Sequence, residues 1–173
     1  MITIISGTNR KDSKSDVIAK EYSRYLKDLG EESQVLSLID MPKDIIQDDM
    51  YSNHRQAIKD IYNKFIAPVD KFVFVIPEYN GGFPGILKLF IDTVPPAMFY
   101  GKKAGLVGVS VGRAGNTRGT DQFTNVLNYL QVNVLHSKPP LSLIDTLVDE
   151  QGTITHEVTE KILRTHVEVL LKF

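Results

Sequence analysis

Apolar residues in this chain fall into two kinds of segment, short unbroken runs and longer stretches with helical spacing, and the two alternate along its length. Met1 to Ser6 is a β-branched run ended by Gly7, the mark of a buried strand. From Ser15 to Leu29 the positions Val17, Ile18, Tyr22, Tyr25, Leu26 and Leu29 recur at helical spacing, and Gly30 stands where a C-cap belongs. Gln34 to Ile39 predicts a second strand. Pro42 to Ser52 is of mixed polarity and reads as loop, with Asp48-Asp49 solvated. His54 to Phe65 predicts a helix presenting Ile58, Ile61, Tyr62 and Phe65 on one face, ended by Pro68. Lys71 to Ile76 is the strongest strand, apolar without alternation, as expected where both faces are covered, and it stops at Pro77. Pro84 stands at a favoured first helical position, and Ile86 to Val94 continues as helix until Pro95-Pro96. Lys103 to Val111 predicts a strand, Arg118 to Leu130 a helix with Phe123, Val126, Leu127 and Leu130 on one side, and Val132 to Leu135 a fifth strand. Residues 136–151 show no assignable pattern. Thr155 to Leu171 predicts a closing helix carrying Val158, Ile162, Leu163, Val167 and Leu170.

Five strand–helix units imply a parallel sheet with helices on both faces, a three-layer α/β sandwich. Within 173 residues this fits a single domain over 1–173 and a five-stranded sheet in the flavodoxin-like order 2-1-3-4-5, better than a six-stranded dinucleotide fold. Ligands of such sheets sit beyond the carboxyl ends of the strands, near the switch point. Here that means the loops after strands one, three and four.

Composition narrows the function classes. The chain has no cysteine, which excludes disulfides, thiolate metal sites and cysteine nucleophiles and agrees with a reducing cytoplasm. A net charge of −1 gives no electrostatic case for a nucleic-acid partner. No apolar run approaches the ~20 residues of a membrane helix, so no membrane partner is expected. Met1 to Ile5 reads as a strand, with no basic segment before it and no cleavage site after it. His54, His136, His156 and His166 lack metal-ligand spacing, so no metal is expected, and His156 and His166 read as exposed or capping residues.

The three loops hold the unusual residues. Gly7 to Ser15 joins a buried strand to a helix and carries Thr8, Arg10, Ser13 and Ser15. Unpaired N–H groups and partial positive charge at the helix start suit a phosphate; the alternative is a polar turn with Ser13 or Ser15 as N-cap. Pro77-Glu78-Tyr79-Asn80-Gly81-Gly82-Phe83-Pro84-Gly85 has adjacent glycines that allow close approach to a planar ligand, or simply a tight turn with Tyr79 and Phe83 packed as core. Ser110 to Gly119 brings three glycines and two arginines to a strand end, as an anion or ring-edge site or as a solvated loop.

Together these segments resemble the NADPH-dependent FMN reductase family, the flavodoxin-like group that includes small azoreductases and quinone or chromate reductases. The family motif Gly-Ser-x-Arg-x-x-Ser-x-Asn is met by Gly7-Thr8-Asn9-Arg10-Lys11-Asp12-Ser13-Lys14-Ser15, with Thr8 for Ser and Ser15 for Asn. The motif Pro-Glu-Tyr-Asn-x-Ser-x-Pro-Gly-x-Leu-Lys-Asn-x-Ile-Asp-Trp is met from Pro77 to Thr93, with Gly82 for Ser, Leu89 for Asn and Thr93 for Trp. The motif Ser-x-Gly-x-x-Gly-Gly-x-Arg is met by Ser110, Gly112, Gly115 and Arg118, with Asn116 replacing a glycine. The likeness covers roughly residues 1–131.

The resemblance implies that Thr8, Arg10, Ser13 and Ser15 bind the FMN phosphate. Pro77, Glu78, Tyr79, Asn80 and Gly81 would line the isoalloxazine ring, largely through backbone groups, and Ser110 and Gly112 would reach its other edge. Arg118 would be a nicotinamide-cofactor ligand or a structural ion-pair residue, and Lys88 a helix-surface lysine. NADPH or NADH would be the co-substrate and a flavin, quinone, azo compound or metal oxyanion the acceptor, with no catalytic side chain required because the flavin carries the chemistry. Family habit implies a homodimer or homotetramer. The alternative is a flavodoxin-like FMN-binding electron carrier without NAD(P)H turnover. Such carriers tend to be strongly acidic for docking, and the net charge here does not match.

Overall fold

The computed structural model describes residues 1–45, 55–149 and 151–173. Strands β1 (Ile2–Ser6), β2 (Ser33–Ser37), β3 (Lys71–Pro77), β4 (Lys103–Val109) and β5 (Asn133–Val134) pair in parallel in the order β2-β1-β3-β4-β5. This is the expected flavodoxin-like order. Among the described residues the helices are α1 (Lys14–Asp28), α2 (Gln56–Phe65), α3 (Gly85–Thr93), α4 (Thr117–Tyr129) and α5 (Glu157–Lys172). The expected helix start at His54, the Asp48-Asp49 pair, most of the 42–52 loop and Glu150 lie outside the described residues.

The central strands lack polar alternation because both their faces are core. Ile5, Phe72, Phe74, Ile76 and Leu106 pack on one side against α2, α3 and α4. Ile4, Val73, Val75, Val107 and Val109 pack on the other against α1 and α5. Phe74 stands edge-on to Phe123 of α4 at a ring separation of 5.0 Å, tying that helix to the sheet.

Lysines finish the edge where the strands begin. The last carbonyls of a helix have no partner within it and carry partial negative charge. Lys71 Nζ donates to the carbonyls of Leu170 (3.1 Å) and Leu171 (2.9 Å) at the end of α5. Lys102 Nζ donates to the carbonyls of Ile66 and Ala67 just past α2. Burial holds the Lys102 ammonium below the usual lysine range.

The structure corrects several expectations. The second and fourth strands end at Ser37 and Val109 rather than Ile39 and Val111; Leu38–Asp40 turns into a 3₁₀ segment. Pro84 is the N-cap of α3 in extended conformation, with its carbonyl accepting from Leu87 N–H at 3.0 Å, rather than the first helical residue. The five-stranded sheet gains a sixth member, β6 (Pro140–Leu141), inside the stretch that had no assignment. It runs along the same edge of β4 as β5. From Ala104 to Gly108 β4 advances four residues while its neighbour advances six, from Val134 to Pro140, so residues 135–139 bulge out. Pro140 is tolerated because an edge strand needs no donor from it.

His166 is the other correction: it is buried, not exposed. Its ring rests on Gly105, where a Cβ would approach Cε1 to 2.9 Å. Nε2 donates to the Ser137 carbonyl at 3.1 Å, so Nδ1 of the neutral ring accepts from the Tyr22 hydroxyl at 2.8 Å. One imidazole thereby joins α1, α5 and the bulge. His156, by contrast, caps α5 as expected, Nδ1 accepting from Thr159 N–H at 3.3 Å.

Burial pushes the His166 pKa down to about 4. The unfolded chain takes up this proton first as pH falls, so the contribution is complete above about pH 6.5 and is lost on the way to about pH 4. Between pH 7 and 4.5, wild-type protein should lose about 2 kcal/mol more unfolding free energy than His166→Gln in urea titrations. Equal losses would remove His166 from the account.

Candidate functional site

The loop between β1 and α1 is shaped by the helix start. Ser13 is the N-cap: its Oγ accepts the Asp16 N–H at 3.2 Å. The N–H groups of Lys14 and Ser15 open the helix and have no carbonyl one turn back to bond. The Ser15 hydroxyl is 1% exposed and has no hydrogen-bond partner among the described residues. An unmet buried hydroxyl costs about 1–3 kcal/mol; Ser6 Oγ, Tyr25 Oη and Asn116 Oδ1 are likewise without a partner among the described residues, but of the four residues only Ser15 lines the cavity beside this helix start. Of the two N-capping alternatives, Ser13 caps and Ser15 does not.

Beside this helix start lies a cavity of about 440 Å³. It brings together the predicted residues Thr8, Arg10, Ser13, Ser15, Pro77, Glu78, Tyr79 and Ser110. Asn80, Gly81 and Gly112 are not in its wall. Arg10, Lys11 and Lys14 line it, and none of the three is in an ion pair among the described residues. Asp12, Glu78 and Asp145 line the same wall, so the feature that favours an anion is the helix N-terminus with Arg10 and Lys14 in its immediate sequence neighbourhood rather than a net positive lining.

The loop after β3 is a two-residue hairpin. Tyr79 and Gly82 exchange backbone hydrogen bonds of 2.9 and 3.1 Å, with Asn80 (φ 51°) and Gly81 (φ 78°) both left-handed at its tip. Asn-Gly is the pair that such a turn favours. The Glu78 N–H donates to the Val109 carbonyl at 2.8 Å, so neither the Glu78 nor the Tyr79 amide is free for a ligand. The Asn80 and Gly81 amides have no acceptor among the described residues. The side chains divide as well. Phe83 packs on Phe123 at 5.3 Å as core, while the Tyr79 hydroxyl crosses to Thr8 Oγ1 at 2.6 Å.

The loop after β4 is stitched to β6 and to Leu143 and Ile144 just beyond that strand. Ser110 N–H donates to the Leu141 carbonyl (2.9 Å), Leu143 N–H to the Gly112 carbonyl (3.0 Å) and Ile144 N–H to the Ser110 carbonyl (3.1 Å). The Ser110 hydroxyl also donates to the Gly112 carbonyl, at 2.9 Å. These bonds carry Ile144 and Asp145 into the cavity wall. Sequence reasoning missed both, along with Lys11, Asp12 and Lys14, which fill the variable positions of the first motif. Asn116 closes the loop in a left-handed conformation (φ 60°), with Nδ2 donating to the Ile76 carbonyl at 2.9 Å. Asparagine tolerates that conformation where the motif has glycine.

Arg118 is exposed, in no ion pair among the described residues, and its Nη1 lies 3.7 Å from where a Cβ on Gly81 would stand. A structural ion pair is therefore not its role here. Lys88 pairs with Asp92 at 2.6 Å one helical turn on, as a surface lysine does. A second cavity, of about 470 Å³, lies between α3 and α4 and is walled by Ile91, Val94, Val126, Tyr129 and Leu130, away from the three loops.

A family model described as NADPH-dependent FMN reductase matches residues 1–142. A 2-hydroxy-1,4-benzoquinone reductase from Burkholderia sp is 25% identical over 173 residues, covering 96% of this chain and 92% of that protein. An NAD(P)H-dependent FMN reductase from Pseudomonas aeruginosa is 28% identical over 131 residues, covering 73% of this chain and 70% of its own length. The solved structure of the NAD(P)H:(acceptor) oxidoreductase FerB from Paracoccus denitrificans superposes with a TM-score of 0.78 at 23% identity, covering 99% and 94% of the two chains, and it shares the fold.

The two serines should separate in stability measurements. Ser13→Ala removes the cap and should lower the unfolding free energy by about 1 kcal/mol. Ser15→Ala removes an unpartnered hydroxyl and should leave stability unchanged or slightly raised. A larger loss for Ser15→Ala than for Ser13→Ala in urea titrations would reverse this assignment.

Proposed function

This chain belongs to the NADPH-dependent FMN reductase family and is an FMN-dependent NAD(P)H oxidoreductase; we propose that its acceptor is a small quinone or flavin and that its cofactor sits where the three loops meet. The observation that carries the placement is the unpartnered, buried Ser15 hydroxyl at the start of α1, in the wall of a cavity edged by three unpaired cations. Ser15, Thr8 and Arg10 hold the phosphate, together with the Lys14 and Ser15 amides. Ser13 assists through its O–H, since its oxygen already serves Asp16. FMN, when bound, supplies hydride uptake from NAD(P)H and delivery to the acceptor.

The remaining residues position and shield. Pro77, Glu78 and Tyr79 form the wall on which the ring rests, and the free amides of Asn80 and Gly81 are the donors this loop has left for its polar edge. Ser110 and Gly112 reach the opposite edge, Gly112 through its N–H because its carbonyl is already engaged. Val109, Val111 and Ile144 add apolar surface that excludes water. The exposed Arg118 beside Gly81 is placed to meet a phosphate of the nicotinamide co-substrate.

The long match to a benzoquinone reductase supports the quinone acceptor. Among the described residues no helix is long and apolar enough to cross a membrane. A cytoplasmic location is proposed from the absence of cysteine, and the near-neutral charge leaves nucleic acid out of the proposal. A homodimer or homotetramer would cover the apolar groove between α3 and α4, where Tyr129 is 88% exposed.

Protein reconstituted with FMN should oxidise NADPH or NADH at a rate that rises at least tenfold when 1,4-benzoquinone is added. Flavin retention without NAD(P)H oxidation by any of quinone, free FMN or oxygen would contradict the acceptor proposal.

A further inference from the structure

We propose that Leu143, together with Val111, forms an apolar lip at the mouth of the cofactor cavity that receives the ring of the quinone acceptor and favours apolar acceptors over charged ones. The proposal rests on the quinone reading above and deepens it. Five non-glycine residues among the described ones hold a left-handed backbone. Asp12, Asn80, Asn116 and Gln131 are polar; Leu143, at φ 52° and ψ 43°, is the apolar one.

The fold needs this backbone conformation but not this side chain. Leu143 N–H donates to the Gly112 carbonyl at 3.0 Å. Its own carbonyl accepts the Thr146 N–H at 2.9 Å and the Thr146 hydroxyl at 2.8 Å. The chain thereby turns on leaving β6 and enters the 3₁₀ segment Ile144–Thr146, which puts Ile144 and Asp145 in the cavity wall. Glycine or asparagine would take up the same backbone with less strain. Leucine receives no packing in return: it is 46% exposed and belongs to neither of the two core clusters. Strain that the packing does not repay is characteristic of functional positions.

Val111 is the second apolar side chain left in solvent here. It is 67% exposed, stands outside both core clusters and lines the cavity. The bond from Leu143 to Gly112 sets the Leu143 backbone against the residue that follows Val111. Val109 and Ile144, both buried, continue the apolar surface into the cavity. Apolar surface thus runs from the cavity wall out to its rim. Two side chains are far too little for a protein interface, but they cover one side of a one- or two-ring acceptor. A multiply charged acceptor such as ferricyanide gains nothing from burial against them.

Leu143→Asn keeps the backbone and removes the apolar side chain, whereas Leu143→Met keeps an apolar one. FMN-loaded proteins are assayed at saturating NADPH for kcat/KM with 1,4-naphthoquinone and with ferricyanide. Comparing variant with wild type on the same acceptor cancels the acceptor's own redox potential. The FMN dissociation constant is measured by quenching of flavin fluorescence, and stability by urea titration. Leu143→Asn is expected to lose about fivefold or more in kcat/KM for naphthoquinone, through KM, with ferricyanide and FMN binding changed less than about twofold. Its urea midpoint should equal or exceed that of wild type, and Leu143→Met should retain the naphthoquinone rate. A lower urea midpoint for Leu143→Asn would make the leucine a packing residue and overturn the proposal. Equal losses with both acceptors, an unchanged naphthoquinone rate, or weaker FMN binding would overturn it as well. Wild-type protein that reduces ferricyanide but no quinone would instead overturn the quinone reading itself.

Discussion

Burial of β3 between β1 and β4, with helices over both faces, is the constraint on which the rest of the structure depends. The register pairs Ser6 with Val75 and Pro77 with Val109, so the three strands release their chains at one edge. Parallel strands require a crossover between each pair, and this carries every loop that leaves a strand end to the same side. Segments about 70 and 100 residues apart in sequence thus form one wall. The fit leaves little slack: a Cβ on Gly108 would stand 2.1 Å from the Gly115 carbonyl, so the third loop lies directly on β4. At the opposite edge, Lys71 and Lys102 donate to carbonyls at the ends of α5 and α2.

The main elements were legible because burial on both faces writes itself as an unbroken apolar run, as in Lys71 to Ile76, and helices as a 3.6-residue stripe. The features that stayed hidden have specific causes. β6 is two residues long and begins with Pro140, so it has no periodicity to read; its partner bonds come from its neighbours' backbone. Ile144 and Asp145 reach the site only through that pairing. His166 lies on the same stripe as Leu163, Val167 and Leu170, but a histidine among apolar residues reveals its burial only when Gly105 is seen opposite. The motif named most of the cavity wall, yet it could not show that the Glu78 and Tyr79 amides are already used by the fold.

The site is economical in its chemistry. Its wall combines a helix start, hydroxyls, three cations and three carboxylates with the apolar side chains of Val109, Val111 and Ile144, a mixture that suits a ligand with both a charged and an apolar part. The protein supplies placement, field and exclusion of water, and the chemistry stays with the cofactor. Polar groups left without partners by the fold, Ser15 Oγ in the cavity wall and the Asn80 and Gly81 amides beside it in sequence, are the contacts proposed for the ligand.

Amide hydrogen exchange with and without FMN tests this placement most directly. Exchange should slow chiefly in residues 8–15, 80–81 and 143–146, with little change in the α3–α4 groove around Ile91, Val126 and Leu130. Protection centred on that groove, with the α1 start unchanged, would contradict the placement.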